Sequence, residues 1–230
     1  TSTSFSAAPE ARWIQSGPAW LVALEAQRPV GRVALLGRVS WLDAGFRLDP
    51  QGGTTLSAYE DFSGVLRNSY YTFATQRPRL QAVIEAAAPL SAWGFDHRLL
   101  AGAGYRRSTV STDLSWPGNQ VLGLERQSVF FRTFALTGFA LPMRGQSARS
   151  RQEELEAYAQ DSLRRGRFTL DVGLRLDHLQ GRNLSSSVGA NPEFPELLPA
   201  VAYAGGSTEI GWTDLLPRAG VTWDLRGDGG

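Results

Sequence analysis

Residues 168–176 read Phe-Thr-Leu-Asp-Val-Gly-Leu-Arg-Leu. Phe168, Leu170, Val172, Leu174 and Leu176 fall on one face of an extended chain. Thr169, Asp171, Gly173 and Arg175 fall on the other, and Asp177 continues it. Successive strand side chains point to opposite faces, so this alternation predicts a β-strand with one apolar and one charged side. The same period recurs along the chain. Val221, Trp223 and Leu225 oppose Thr222, Asp224 and Arg226. Leu99, Ala101, Ala103 and Tyr105 oppose Leu100, Gly102, Gly104 and Arg106. Val33, Leu35, Val39 and Trp41 oppose Arg32, Arg38 and Ser40, and Leu80, Ala82, Ile84 and Ala86 oppose Gln81 and Glu85. Faces this charged must meet water, either in a half-exposed soluble sheet or in a water-filled barrel.

Connection lengths separate the two. Alternation predicts seven long strands, near 12–26, 31–42, 77–90, 97–110, 152–163, 166–180 and 211–226. The gaps after the first, third and fifth are short (27–30, 91–96, 164–165). Those after the second, fourth and sixth are long (43–76, 111–151, 181–210). Soluble sandwiches rarely repeat loops beyond ~15 residues. Membrane barrels set tight periplasmic turns against long external loops. The expected fold is therefore all-β: antiparallel transmembrane barrel strands with short periplasmic turns and long extracellular loops. Strands near 97–110 and 166–180 would run outward, and those near 152–163 and 211–226 inward. Within the fourth connection, Val129, Phe131 and Thr133 alternate enough to predict an extra hairpin over 127–141. A closed single-chain barrel needs about eight strands or more, and residues 227–230 look like a turn with no strand behind it. The expectation is a partial barrel, residues 1–230 forming part of one larger barrel domain.

Composition adds mainly exclusions. The 230 residues carry a net charge of +1, and every basic residue is Arg. Basic residues alternate with acids, so there is no stripe for nucleic acid. The absence of Cys removes disulfides and thiolate metal sites. No apolar run approaches the ~20 residues of a membrane helix. Residues 1–10 have neither the basic start nor the apolar core of a secretion signal. A soluble chain accounts for these facts, and so does a barrel presented without its beginning. Trp41, Trp93, Tyr105, Trp116, Tyr158 and Trp212 stand near predicted strand ends, as aromatic girdles do.

Several segments together resemble a known family. Gln160-Asp161-Ser162, Arg167–Leu170 and Gly173-Leu174-Arg175-Leu176-Asp177 resemble a hairpin of TonB-dependent outer-membrane receptors. Leu215-Leu216-Pro217-Arg218-Ala219-Gly220-Val221 resembles the strand that follows it. Ser69-Tyr70-Tyr71, Gln76-Arg77-Pro78, His97-Arg98-Leu99-Leu100-Ala101-Gly102 and Tyr105-Arg106-Arg107 resemble another hairpin, and Trp116-Pro117-Gly118-Asn119 a loop element, of the Oar-like subgroup. The resemblance covers residues 69–228. Arg98 and Leu100 depart from the usual residues after the hairpin His, and Leu163 replaces a Trp. The resemblance implies a Gram-negative outer-membrane location, a plug domain in the lumen, a TonB-type energy-coupling protein and an external ligand. No TonB box, plug or terminal barrel strand is visible, so no energy-coupling residue carries over.

Catalytic chemistry is not expected. There is no nucleophile elbow, Walker motif or zinc spacing, and no cofactor is implied. His97 and His178 lie at opposite ends of their predicted strands, too far apart to share a site. Glu153, Glu154 and Glu156 are either a carboxylate group for acid–base work or calcium, or the polar outer end of a strand. Asp171, Arg175, Asp177, Asp224 and Arg226 form a lumenal set for cross-strand pairing, plug contact or substrate contact. Gly102 and Gly104 would let a plug approach the wall. Tyr70, Tyr71, Phe73, Trp116, Phe130 and Phe131 fall in or beside external loops. Of these, Tyr70, Tyr71, Trp116 and Phe130 are the candidate ligand contacts, for a peptide or glycan; the alternative is packing of loops over the barrel mouth. Three functions follow: a receptor and transporter, an adhesive or structural barrel without transport, and a soluble β-sandwich binding module.

Overall fold

The computed structural model describes residues 6–17, 19–130, 133–206 and 210–225; side chains within 126–137 lie outside the description. Seven long strands make an up-and-down antiparallel sheet. β1 runs through Trp13–Ser16 and Trp20–Val30, β2 through Val33–Asp43 and Gly45–Pro50, and β3 through Thr72–Gln76 and Arg79–Ala92. β4 is Phe95–Ser115, β5 Gln146–Arg165, β6 Phe168–Asn183 and β7 Ile210–Trp223. Each pairs with the strand before it in sequence. The interruptions in the first three strands do not shift register. Trp13 lies opposite Pro50 and Trp20 opposite Asp43, and likewise Gly45 opposite Gln76 and Leu42 opposite Arg79. Each strand therefore keeps one inner and one outer set of side chains along its whole length. Among the described residues β1 and β7 do not pair with each other, and the sheet is an open section of barrel wall.

Two-residue turns close one end. Gly31 and Gly166 each take the left-handed φ (+61° and +57°) at the first turn position. Trp93 and Gly94 are both left-handed (+52° and +77°), the pattern of a type I′ hairpin. The first turn is Gly31-Arg32 and not the expected gap at 27–30, because β1 runs straight through Pro29. In this hairpin the Pro29 nitrogen faces away from β2 toward the free side of β1, so no ladder bond is lost. The possible turn at 227–230 lies outside the described residues.

The wall is built inside out. On β6 the apolar set is the exposed one: Val172, Leu174 and Leu176 are 40–48% exposed, while Arg175 and Asp177 side chains are 29% and 20% exposed. Leu24, Ile84, Leu155, Leu215 and Val221 are also exposed. Among the described residues the only buried apolar side chains are Ala8, Ala11, Ala58 and Leu66, and all four lie at the far end from the turns. No described second sheet packs on the apolar face, as a soluble sandwich would require. The apolar run from Phe168 to Leu176 covers about 27 Å along the strand, the scale of the ~25 Å apolar band of a tilted barrel wall.

At the loop end the long connections make structure of their own. Ser6–Ala7 pairs with Val65–Arg67, which pairs with Tyr59–Glu60. Tyr59–Glu60 in turn lies beside the hairpin of Val121–Phe130 and Thr133–Pro142. That hairpin begins six residues earlier than alternation over 127–141 indicates. Ser186–Val188 and Val201–Tyr203 form a further small pair.

Candidate functional site

The inner wall is a ladder of opposite charges whose partners are set by register. Glu25 on β1 faces Arg38 on β2, and Arg38 Nε and Nη2 donate to Glu25 Oε2 at 2.8 and 2.6 Å. Arg106 on β4 donates to Glu154 directly across on β5. Arg175 on β6 donates through Nη2 to Glu156 on β5 at 2.6 Å and through Nε to Asp177 at 2.8 Å. Between these pairs, Tyr158 on β5 reaches over β4 and donates to Glu85 on β3. The residue it crosses is Gly102, which faces Tyr158 on one side and Glu85 on the other. A Cβ on Gly102 would sit 2.6 Å from the Tyr158 ring, and Glu156 fills the space over Gly104 in the same way. The two glycines are therefore occupied by the wall's own side chains and do not stand open for a plug. Arg38, Glu85, Tyr158, Arg175 and Arg218, from β2 round to β7, border one groove of about 320 Å³ on the charged face.

The expected lumenal set is only partly joined. Arg175 and Asp177 are paired, Asp171 lines a smaller cleft with Arg218 and Gly220, and Arg226 lies outside the described residues. Asp224 closes the last described pairing through its backbone, donating to Arg167 O at 2.9 Å. Tyr158, expected in an aromatic girdle near a strand end, instead turns to the inner face in mid-strand; Glu25 was not singled out from sequence, and Glu85 only as a residue of a polar face. Alternation places Glu85 inward, but its partner is 73 residues away. The acidic group divides between the faces: Glu154 and Glu156 turn inward, while Glu153 turns outward and accepts from Tyr105 OH at 3.0 Å. No cluster of acidic and His side chains suited to a metal is found among the described residues.

The histidines sit at opposite ends of the outer face. His97, near the Trp93-Gly94 turn, is 2.6 Å through Nδ1 from Asp161 and 3.3 Å through Nε2 from Ala92 O. The rings of Trp93 and Phe95 stand edge-on to it. With a carboxylate at one nitrogen and a carbonyl at the other, the ring is a structural pin between β4 and β5. His178 meets Thr213 at 2.8 Å near the loop end.

At the loop end, Tyr70, Tyr71 and Trp116 come together. Tyr70 and Tyr71 centroids are 4.3 Å apart, and Trp116 stands edge-on to both at 5.7 and 5.5 Å. Trp13 completes the cluster, stacked on Tyr70 at 5.4 Å and donating Nε1 to Tyr71 O at 2.8 Å. Sequence gave no signal for Trp13, which lies 58 residues from Tyr71. Phe46 and Phe73 pack on the inner face just below, 5.8 Å apart. Burial pushes the Tyr70 phenol above its ordinary range, so it stays a neutral donor. The side chain of Phe130 lies outside the described residues.

The loops beneath and around this cluster are tied to one another. Buried Asn191 donates to Gln120 O and Met143 O at 2.8 and 2.7 Å, and its Oδ1 accepts from the Glu193 and Phe194 amides at 2.9 and 2.8 Å. Ser57 donates to Asn119 at 2.6 Å, and the Gly118 amide to Thr54 O at 2.8 Å. Asp61 accepts from the Ser63 and Val65 amides and from Arg67 Nε. Those bonds, the Val65 amide foremost, hold its carboxyl below the usual range.

Residues 20–228 match the family model described as TonB dependent receptor-like, beta-barrel. Among solved structures the fold is similar to the ferric citrate transporter FecA in its unliganded form, with TM-score 0.55 and 13% identity over 93% of this chain and 26% of that one. It is similar also to the siderophore receptor PiuA from Acinetobacter baumannii, with TM-score 0.56 and 12% identity over 94% of this chain and 31% of that one. The chain thus spans 26% and 31% of the length of these two structures. No curated protein matches it by sequence.

Proposed function

The chain belongs to the TonB-dependent receptor-like β-barrel family, and from that premise we propose that it is part of the wall and external mouth of a ligand transporter in a Gram-negative outer membrane. The observation that carries this is the wall itself: apolar side chains exposed on its outer face, paired charges along its other face, and an aromatic cluster held above them. In this reading a plug domain sits against the charged groove. A TonB-type protein acts on it through parts outside these residues, and the wall is passive, without catalysis. The match of residues 69–228 to Oar-like segments supports that subgroup. Tyr70, Tyr71, Trp116 and Phe130, now joined by Trp13, form the proposed contact surface for a peptide or glycan with a flat apolar face.

The test uses the intact protein in its own outer membrane. Trp116→Ala and Tyr71→Ala are expected to weaken ligand capture about tenfold or more, the loss of roughly 1.4 kcal/mol of contact, with barrel assembly unchanged. Unchanged capture in both would remove the cluster from the binding surface. A second reading, adhesion without transport, draws on Asn191, whose bonds hold two loops in one fixed surface. Ligand accumulation that persists after the proton gradient is collapsed would favour adhesion.

A further inference from the structure

The inner face changes character towards its loop end. Beyond the Arg106–Glu154 pair its side chains become neutral. One row runs from Ser108 on β4 through Gln152 on β5 and Gly181 on β6 to Ile210 on β7, each directly opposite the next. Below that row Leu179 faces Trp212, and above it Ser150 faces Asn183. These residues border a hollow of about 380 Å³, within the range of small-molecule sites. Gly181 is its floor. The space over Gly102 and Gly104 is filled by neighbouring side chains, but a Cβ on Gly181 would meet only Ile210 O, at 3.7 Å. Trp212, expected in an aromatic girdle from its place near a strand end, instead faces inward and is 48% exposed. Among the described residues its indole N–H makes no hydrogen bond, and neither do the side chains of Ser108, Ser150, Gln152 and Asn183. Free cationic groups do not face the hollow. Arg106 is held by Glu154, and Arg151 and Arg182 border the hollow from the outward set of their strands.

We propose that this hollow binds a neutral saccharide unit, as a second contact below the loop-end aromatic cluster. A sugar ring has an apolar C–H face and a rim of hydroxyls that both donate and accept. Trp212 supplies a flat apolar surface for the first. For the second, the Gln152 and Asn183 amides each carry donors and an acceptor, and the Ser108 and Ser150 hydroxyls serve as either. Asp214, directly opposite Asp177 in the row below Trp212, can accept from a further hydroxyl. That carboxylate repels an anionic ligand, which finds only the paired Arg106 to answer it, so charge is selected against. Both edges of β5 and of β6 are already paired, so these strands offer an extended peptide no backbone ladder. Ser108 precedes Trp116 by eight residues on the line of β4, about 26 Å along an extended chain, so hollow and cluster are separate contacts on one path inward. The site rests on the barrel reading, in which this face lines a water-filled lumen.

The intact protein is reconstituted in phosphatidylcholine nanodiscs and titrated calorimetrically with tetrasaccharides of glucose, galactose, mannose and N-acetylglucosamine. A tetraglucuronate and a capped neutral tetrapeptide of Ser, Asn and Tyr serve as comparison probes. At least one neutral sugar should bind about tenfold more tightly than either comparison probe. Trp212→Ala should weaken that binding about tenfold or more, and Trp212→Phe, which keeps a flat ring, should restore most of it. Gly181→Leu removes no polar group and fills the open floor, so it should weaken binding as much as Trp212→Ala and guards against a variant that fails to assemble. Absence of binding by every neutral sugar, or tighter binding of the glucuronate or the peptide, overturns the saccharide. Native affinity in both Trp212→Ala and Gly181→Leu, with loss in Trp116→Ala, overturns the hollow and leaves the loop-end cluster as the binding surface. The emission lost to brominated phosphatidylcholine should be equal in native protein and Trp212→Phe; a smaller loss in the variant places Trp212 against lipid and overturns the barrel reading of this face instead.

Discussion

Tyr158 lies across Gly102 to reach Glu85. Three strands are stitched by one side chain, and the stitch exists because the middle strand offers no Cβ at the crossing. Gly102→Val should push the ring off the wall and cost about 1–3 kcal/mol by overpacking. Tyr158→Phe keeps the ring and loses only the hydroxyl bond, about 1 kcal/mol. Unfolding in detergent, followed by heat-modifiable gel mobility, ranks the two; a Phe variant as damaged as the Val variant would mean that the hydroxyl, and not the ring's seat, dominates.

Gly166 makes the turn between β5 and β6 at φ +57°, and a Cβ there meets nothing within 4 Å. Gly166→Ala therefore isolates backbone strain, worth about 1–2 kcal/mol. The unfolding midpoint should fall accordingly, with no change in the near-ultraviolet signal of the folded wall. A neutral result would show that the turn relaxes to another type.

Asn191→Ala should release the segment around Asn191 from Gln120 and Met143 and leave the barrel wall intact. Two carbonyls and two amides lose partners in a buried place, a local cost of about 2–4 kcal/mol. Limited proteolysis should cut the third long loop at least tenfold faster while the wall remains resistant. Equal cleavage of native and variant protein would show that the other loop contacts suffice.

Asp61 supplies the pH dependence of the first long loop. Its carboxyl is lowered by the Val65 amide, then by Arg67 and the Ser63 amide, against the opposing effect of burial. A folded value below the unfolded one (about 3.9) means that the stabilisation is complete above that pH and is lost as pH falls through the folded value. Protection of residues 59–67 from hydrogen exchange, taken relative to the intrinsic rate at each pH, should be flat from neutral pH to about 5 and fall below about 4. Asp61→Asn should abolish the acid step; a step that persists in this variant would assign it to another carboxylate.

Much of the wall was legible before any tertiary information. Alternation from Phe168 to Leu176 placed Asp171 and Arg175 together on one face because a strand's period of two is purely local. The contrast of gaps of two to six residues with connections of thirty or more placed the turns and loops at opposite ends. The first turn lies beyond the expected gap at 27–30, since β1 continues through Pro29, whose missing N–H faces no neighbouring strand. The strands also run farther into the loop end than alternation indicated, β5 beginning at Gln146 and β4 ending at Ser115, because beyond the apolar band both faces are polar and the periodic signal disappears.

What the sequence by itself determined was which side chains share a face and how the chain turns. Both follow from backbone geometry over a few residues. Which charges pair, what fills Gly102 and Gly104, and how Trp13 and Asn191 join segments 58 and 71 residues away were decided only by tertiary structure. Those outcomes depend on register between strands. A shift of one residue would leave every local preference satisfied and yet exchange the inner and outer sets.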